Sequence, residues 1–127
     1  MNVDEMLVAA RERIIRTTPA ETQAELGTGA IVIDLRCESE RSDGVIPGSI
    51  PIARSVLEWR CDPTSDWSEP RVARPEERVV LVCQDGFSSS LAADSLRQLG
   101  FERVGDLIGG MRAWQAAGLP VVAPGDH

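Results

Sequence analysis

Two stretches of this chain read as continuous apolar runs rich in β-branched residues: Ala30-Ile31-Val32-Ile33-Asp34 and Arg78-Val79-Val80-Leu81-Val82-Cys83. A strand with one wet face alternates polar and apolar residues, whereas one covered on both faces does not. The two runs therefore predict neighbouring strands of a parallel sheet buried between helices. Ser49-Ile50-Pro51-Ile52 and Arg103–Ile108 are shorter strand candidates, and Ile14–Arg16 is a possible extended piece. Together they predict a central sheet of about five strands.

The intervening segments carry helix signals. Residues 3–13 place Met6, Leu7 and Ala10 on one stripe, with acids early and arginines late, as the helix dipole favours. Thr18-Pro19-Ala20-Glu21 has an N-cap, a proline at the first helical position and an acid placed for a capping box; that helix should end near Gly27. Ser88–Leu99 reads as a helix closed by Gly100, and Gly110–Ala117 as one closed by Gly118 and Pro120. The Pro-rich stretch 62–76 reads as a surface loop, too short to separate one domain from another. Alternation of strands and helices predicts an α/β domain over residues 1–127, with helices on both faces of the sheet and an extra N-terminal helix.

Absences narrow the chemistry. All 13 basic residues among the 127 are arginine, so a phosphate-loop lysine and a Schiff-base lysine are missing. The single histidine is His127, the last residue, which makes a histidine-based hydrolase triad or zinc site an unpromising expectation. No metal or organic cofactor is expected. Cys37, Cys61 and Cys83 form no C-x-x-C pair, and the acidic N-terminus lacks the pattern of a secretion signal; reduced thiols and a cytoplasmic location are expected. No apolar run is long enough to span a bilayer. A net charge of −7 disfavours nucleic acid and anionic membrane as partners.

Cys83 ends a predicted buried strand, a Gly-containing loop follows, and a helix begins at the serines. Ligands of open α/β sheets bind beyond the carboxyl ends of strands. Successive loop N–H groups can form an anion nest, and a helix N-terminus adds free donors. A cysteine held there is expected as a thiolate, although a buried, inert strand-end cysteine is the plainer alternative.

The segment Cys83-Gln84-Asp85-Gly86-Phe87-Ser88-Ser89 resembles the C-x-x-G-x-x-[ST/A] loop of rhodanese-like sulfurtransferases. Two further segments resemble that family's signatures: Asp34-Leu35-Arg36, Glu40 and Gly44-Val45-Ile46-Pro47-Gly48-Ser49-Ile50; and Leu107-Ile108-Gly109-Gly110-Met111-Arg112-Ala113-Trp114 with Ala117-Gly118-Leu119-Pro120-Val121. The matching elements run over 17–122, so the helix at 3–13 stands outside them. The resemblance implies a rhodanese-like fold and a sulfurtransferase of the thiosulfate:cyanide type, its native donor open. Cys83 would take sulfane sulfur from thiosulfate or a persulfide and pass it to a thiophilic acceptor. Gln84, Asp85, Gly86, Phe87, Ser88 and Ser89 would form the anion-binding loop. The implied partners are a small sulfur donor and acceptor or a persulfide-carrying protein; the oligomeric state stays open.

Departures from the family pattern carry their own expectations. Many members have arginine where Ser88 stands, and Asp85 puts an acid in the loop, which predicts weak use of a doubly negative donor. The usual histidine before Ile-Pro-Gly is Val45, a position expected to be structural. Phosphatases and arsenate reductases of this fold have five residues between Cys and a phosphate-binding Arg; Ser89 occupies that place here, which makes those activities the weaker expectation. A binding or regulatory module that keeps the fold is the main rival. Asp34 and Arg36 are read first as a structural ion pair, and with Arg41 as possible supports of the site. Arg41 and Arg54 could reach the mouth of the site and attract anions, or stand as solvated surface residues, the plainer reading. Cys37 or Cys61 could serve as a resolving thiol. Trp114 and Trp59 are expected in the core, and Trp67 outside it.

Overall fold

A computed structural model describes residues 1–125; His127 lies outside the described residues. The chain runs through α1 (Val3–Glu12), α2 (Pro19–Leu26), β1 (Ile31–Asp34), α3 (Glu38–Arg41), β2 (Ile50–Pro51), a 3-10 turn (Arg54–Val56) and α4 (Leu57–Cys61). It continues through β3 (Val79–Val82), α5 (Ser88–Gln98), β4 (Val104–Asp106) and α6 (Gly110–Ala116). The sheet is parallel throughout, in the order β2-β1-β3-β4.

Both faces of the two central strands are covered, which is why their sequences do not alternate. Ile33, Val79 and Leu81 pack with Leu57, Cys61, Ala92, Ala93, Leu96 and Phe101 beneath α4 and α5. Val32, Val80 and Val82 pack on the other face with Leu107, Met111 and Trp114, closed by Leu26 of α2. At about 25 cal/mol per Å² of apolar surface removed from water, these two layers are the main source of stability.

The sheet has four strands rather than about five. The expected extra piece runs beside β4, with Ile15 N–H donating to Val104 O and Thr17 N–H to Asp106 O. It forms only a single bridge, Thr17 with Leu107. Arg13 caps the end of α1 and Thr18 caps the start of α2, and the residues between them, 14–17, join the sheet only through that bridge. The strand expected over 49–52 shrinks to Ile50–Pro51, with the Ile52 N–H beyond it donating to Asp34 O at 3.1 Å.

The capping signals produced the helices they predict. Thr18 Oγ1 accepts from Glu21 N–H while Glu21 Oε1 accepts from Thr18 N–H. Asn2 and Glu5 form the same reciprocal pair on α1. The short helices α3 and α4 have no counterpart in the sequence pattern. Trp114 is fully buried and Trp67 is exposed, as expected. Trp59 is 57% exposed, not in the core: α4 is anchored by Leu57 and Cys61, and position 59 falls on its opposite side. Val45 is buried and bridges Val122, a structural position as expected.

The order in which strands are added to the sheet reverses between β1 and β3. From β1 the chain moves one way to β2, then returns to lay β3 on the other side of β1. Such a switch point opens a crevice at the carboxyl edge of the sheet. Helix α1 packs against α5, beside that edge.

Candidate active site

The loop from Cys83 to Ser88 sits at the switch point. An open cavity of about 250 Å³ is lined by Leu35, Arg36, Glu40, Cys83, Gln84, Asp85, Phe87 and Ser88. Cys83 lies at its floor, 7% exposed, one residue beyond β3.

The loop's shape follows from what takes its carbonyls. The first turn of α6 supplies two N–H groups: Met111 donates to Cys83 O at 2.9 Å and Arg112 to Gln84 O at 3.1 Å. That approach requires glycine at position 110, where a Cβ would collide with the Cys83 carbonyl. Gly86 turns the loop at φ +84°, a conformation that disfavours any side chain; its Cβ would also stand 2.7 Å from Gly109 N.

With the carbonyls turned away, the N–H groups face the sulfur. Gly86 N–H donates to Cys83 Sγ at 3.1 Å, and Ser89 N–H at 3.4 Å. Among the described residues, the N–H groups of Gln84, Asp85 and Phe87 have no protein acceptor. Burial pushes the Cys83 thiol up, but hydrogen bonding at the sulfur, that of the Ser89 and Gly86 N–H groups included, outweighs it; the net result lies below the ordinary thiol range.

A second set of residues braces the loop from the α1 side. Arg11 Nη2 donates to Gly86 O at 2.8 Å, and Arg16 Nη2 at 3.2 Å. The peptide is trans, so the Phe87 N–H points away from both guanidinium groups. Arg11 also lies 5.7 Å from the centre of the Phe87 ring, a cation–π distance. Arg16 Nε donates to Asp106 Oδ1 at 2.8 Å. Asp106 Oδ2 in turn accepts from Ser89 Oγ and Ser90 Oγ, each at 2.7 Å. Arg11 and Arg16 come from a segment whose link to the loop is invisible in a linear reading, and Asp106 ends a strand that reads as merely structural. A lone buried acid just before Gly109-Gly110 is the one available signal.

Asp34 and Arg36 form a buried two-pronged ion pair, with bonds of 3.1 and 2.8 Å. Arg36 further donates to Gly44 O and Glu40 O, so it ties β1 to the α3 loop while lining the cavity. Arg41 does not line the cavity; its Nε donates back to Arg36 O. Arg54 is engaged with Glu58 on α4. Asp85 is exposed and paired with Arg112 at 2.6 Å, so its charge is partly offset. Cys37 is exposed at the start of α3, whereas Cys61 lies in the core, its thiol pushed up to about 12 by burial. Among the described residues, no cluster of potential metal ligands occurs and no helix is long and apolar enough to cross a membrane.

The site is thus a cysteine at the end of a central parallel strand of an α/β domain, cradled by loop N–H groups and a helix N-terminus. The chain belongs to the rhodanese-like domain family, whose model matches residues 18–117. It is 33% identical over 95 residues to a sulfurtransferase of Allochromatium vinosum, covering 74% of this chain and 79% of that protein. It is 31% identical over 87 residues to the thiosulfate sulfurtransferase GlpE of Pseudoalteromonas translucida, covering 68% and 74%. A solved structure from Rhodopseudomonas palustris, described as a possible tyrosine phosphatase, superposes with a TM-score of 0.89 at 32% identity, covering 96% of this chain and 95% of that one.

Proposed function

We propose that the protein is a sulfurtransferase that carries sulfane sulfur as a persulfide on Cys83. The observation that carries this reading is the Cys83 sulfur at the floor of an open cavity, bonded by the Gly86 and Ser89 N–H groups, with three further loop N–H groups unclaimed. The Cys83 thiolate attacks the outer sulfur of the donor. The donor's S–S bond breaks, and sulfite or a thiolate leaves with the electron pair. The outer sulfur of the new persulfide carries the negative charge, which the unclaimed N–H groups stabilise. A thiophile such as cyanide or a thiol then attacks that outer sulfur, and the Cys83 thiolate departs.

The cavity favours a singly charged donor. Arg36 is neutralised by Asp34 and Arg112 by Asp85, which leaves Glu40 as the uncompensated charge on the wall. A small persulfide therefore suits the site better than thiosulfate. Phosphoryl transfer is the weaker reading: position 89 holds a buried serine bonded to Asp106, not an arginine that could clamp three oxygens.

Steady-state assays with wild type and Cys83→Ser test the reading. Thiocyanate formation from a sulfane donor and cyanide should occur in wild type and vanish in the variant. Hydrolysis of an aryl phosphate by wild type, without thiocyanate formation, would replace sulfur transfer with phosphoryl transfer. Neither activity would favour a binding module.

A further inference from the structure

The Ser89 hydroxyl stands between two claimants. Its oxygen is 3.1 Å from Cys83 Sγ and 2.7 Å from Asp106 Oδ2, and all three side chains are buried. A hydroxyl has one proton, so it can donate to the sulfur or to the carboxylate, but not to both. A carboxylate at 2.7 Å is the stronger acceptor when the sulfur is a neutral thiol. Asp106 also accepts from Arg16 and from Ser90, and it has no access to water.

We propose that Asp106 is a positioning residue that keeps the Ser89 proton turned away from Cys83, so that Ser89 accepts a hydrogen bond from the resting thiol. The proposal rests on the sulfur-transfer reading for its purpose, though not for its geometry. On ionisation the Cys83 proton leaves to solvent through the cavity. The sulfur anion can then recruit Ser89 only if Asp106 gives up that hydrogen bond. The empty thiolate is thus disfavoured, and a less stabilised thiolate is the better nucleophile. In the persulfide, Sγ is bonded to a second sulfur and the charge sits on the outer atom. Ser89 need not turn, so the carboxylate opposes the empty form more than the loaded one.

The other charged groups around the sulfur do not reproduce this competition. Arg11 and Arg16 meet the Gly86 carbonyl and Ser90, Arg36 is paired with Asp34, Asp85 with Arg112, and Glu40 lies on the cavity wall. None of them touches the Ser89 hydroxyl.

The test is the pH profile of Cys83 alkylation, read on the Cys83 peptide by mass spectrometry, in wild type, Asp106→Asn, Ser89→Ala and the double variant. Asp106→Asn should lower the apparent thiol pKa by about one unit, so that alkylation below that pKa is about tenfold faster. Ser89→Ala alone should leave it unchanged or slightly lower, yet raise it in the Asp106→Asn background, where Ser89 is free to donate. A rise of a full unit in Ser89→Ala alone, or no fall in Asp106→Asn, overturns the proposal. Should Asp106→Asn not fold, Ser90→Ala reads the same competition: it leaves Asp106 more dependent on Ser89 and should raise the pKa, and an unchanged or lower value counts against the proposal. The titration uses no sulfur donor, so its failure and the failure of sulfur transfer are separate results.

Discussion

Arg11, on a helix that precedes the family's matched segment, donates to the carbonyl oxygen of Gly86 at 2.8 Å, in the middle of the loop that holds Cys83. The same guanidinium donates to Ser90 Oγ at 3.1 Å, so one side chain binds both the loop and the helix that follows it. The N-terminal helix is therefore part of the site's support.

Replacing Arg11 with methionine should loosen the loop while leaving most of the fold in place. Hydrogen bonds from a charged donor contribute about 1.5–3 kcal/mol when their acceptor is left unpaired, and Gly86 O keeps Arg16 as a second donor. A loss of about 1–2 kcal/mol in urea unfolding is expected. The thiol of Cys83 should titrate higher, because a cation is lost near it. An unchanged alkylation profile would show that the α1 contact does not reach the sulfur.

The Asp34–Arg36 pair predicts a larger effect. Both side chains are almost wholly buried, and removal of one leaves the other charged and unpaired. Arg36→Met should destabilise the protein by about 3–5 kcal/mol, measured by chemical denaturation. The double variant Asp34→Asn, Arg36→Met should recover some of that loss. A cost below about 1 kcal/mol for Arg36→Met would mean that the carboxylate finds water or another partner.

Helix α1 is fastened to α5 through Asp94, which accepts from Arg13 Nε and Nη2 at 2.8 and 2.7 Å. The Arg13 hydrogen bonds, with help from Arg97 and against the cost of burial, hold the Asp94 carboxyl below the usual carboxylate range. A depressed folded pKa gives stability that is fully present above the unfolded value of about 3.9 and is lost as pH falls through the folded value. Asp94→Asn should therefore lower the urea midpoint at pH 7. The difference from wild type should narrow as pH drops below about 4. A difference that is constant with pH would contradict the ion-pair account.

The three thiols should differ sharply in reactivity. Cys61 is buried in the core with its thiol pushed up to about 12, so it should resist iodoacetamide at a mildly alkaline pH until the protein unfolds. Cys83 should react fastest in the native protein. Labelling of Cys61 at the rate of Cys37 would contradict its burial, and would revive it as a resolving thiol.

Asp85 and Arg112 are both exposed, so their pairing is weak and screened by salt. Arg112→Ala should unmask the Asp85 charge and lower kcat/KM for thiosulfate by about two- to fivefold at low salt. A singly charged persulfide donor should lose less. Equal losses for both donors would point to a structural role for Arg112 at the start of α6.

Much of this architecture is legible in local sequence. The two apolar runs mark the central strands because burial on both faces removes alternation, and the Thr18-Pro19-Glu21 pattern sets a helix start through its own capping bonds. The position of Cys83 follows from a strand, a glycine and a serine-rich helix start in succession. Partners far apart in the chain stay hidden. Arg11 and Gly86 meet only because α1 packs on α5, and Asp106 reaches Ser89 only because β4 lies beside β3. Helices α3 and α4 are too short to show a period, so sequence assigns Trp59 to the wrong side of its helix. The loop itself lacks arginine, yet the fold brings Arg11, Arg16 and Arg112 to it from other segments.

Intact mass spectrometry of the reduced protein, before and after incubation with a small persulfide donor and separately with thiosulfate, tests the central claim most directly. The account predicts a gain of one sulfur that maps to Cys83, is absent from Cys83→Ser and is removed by cyanide, with the persulfide loading more fully than thiosulfate. Folded protein with a free Cys83 thiol that gains no sulfur from either donor would contradict it.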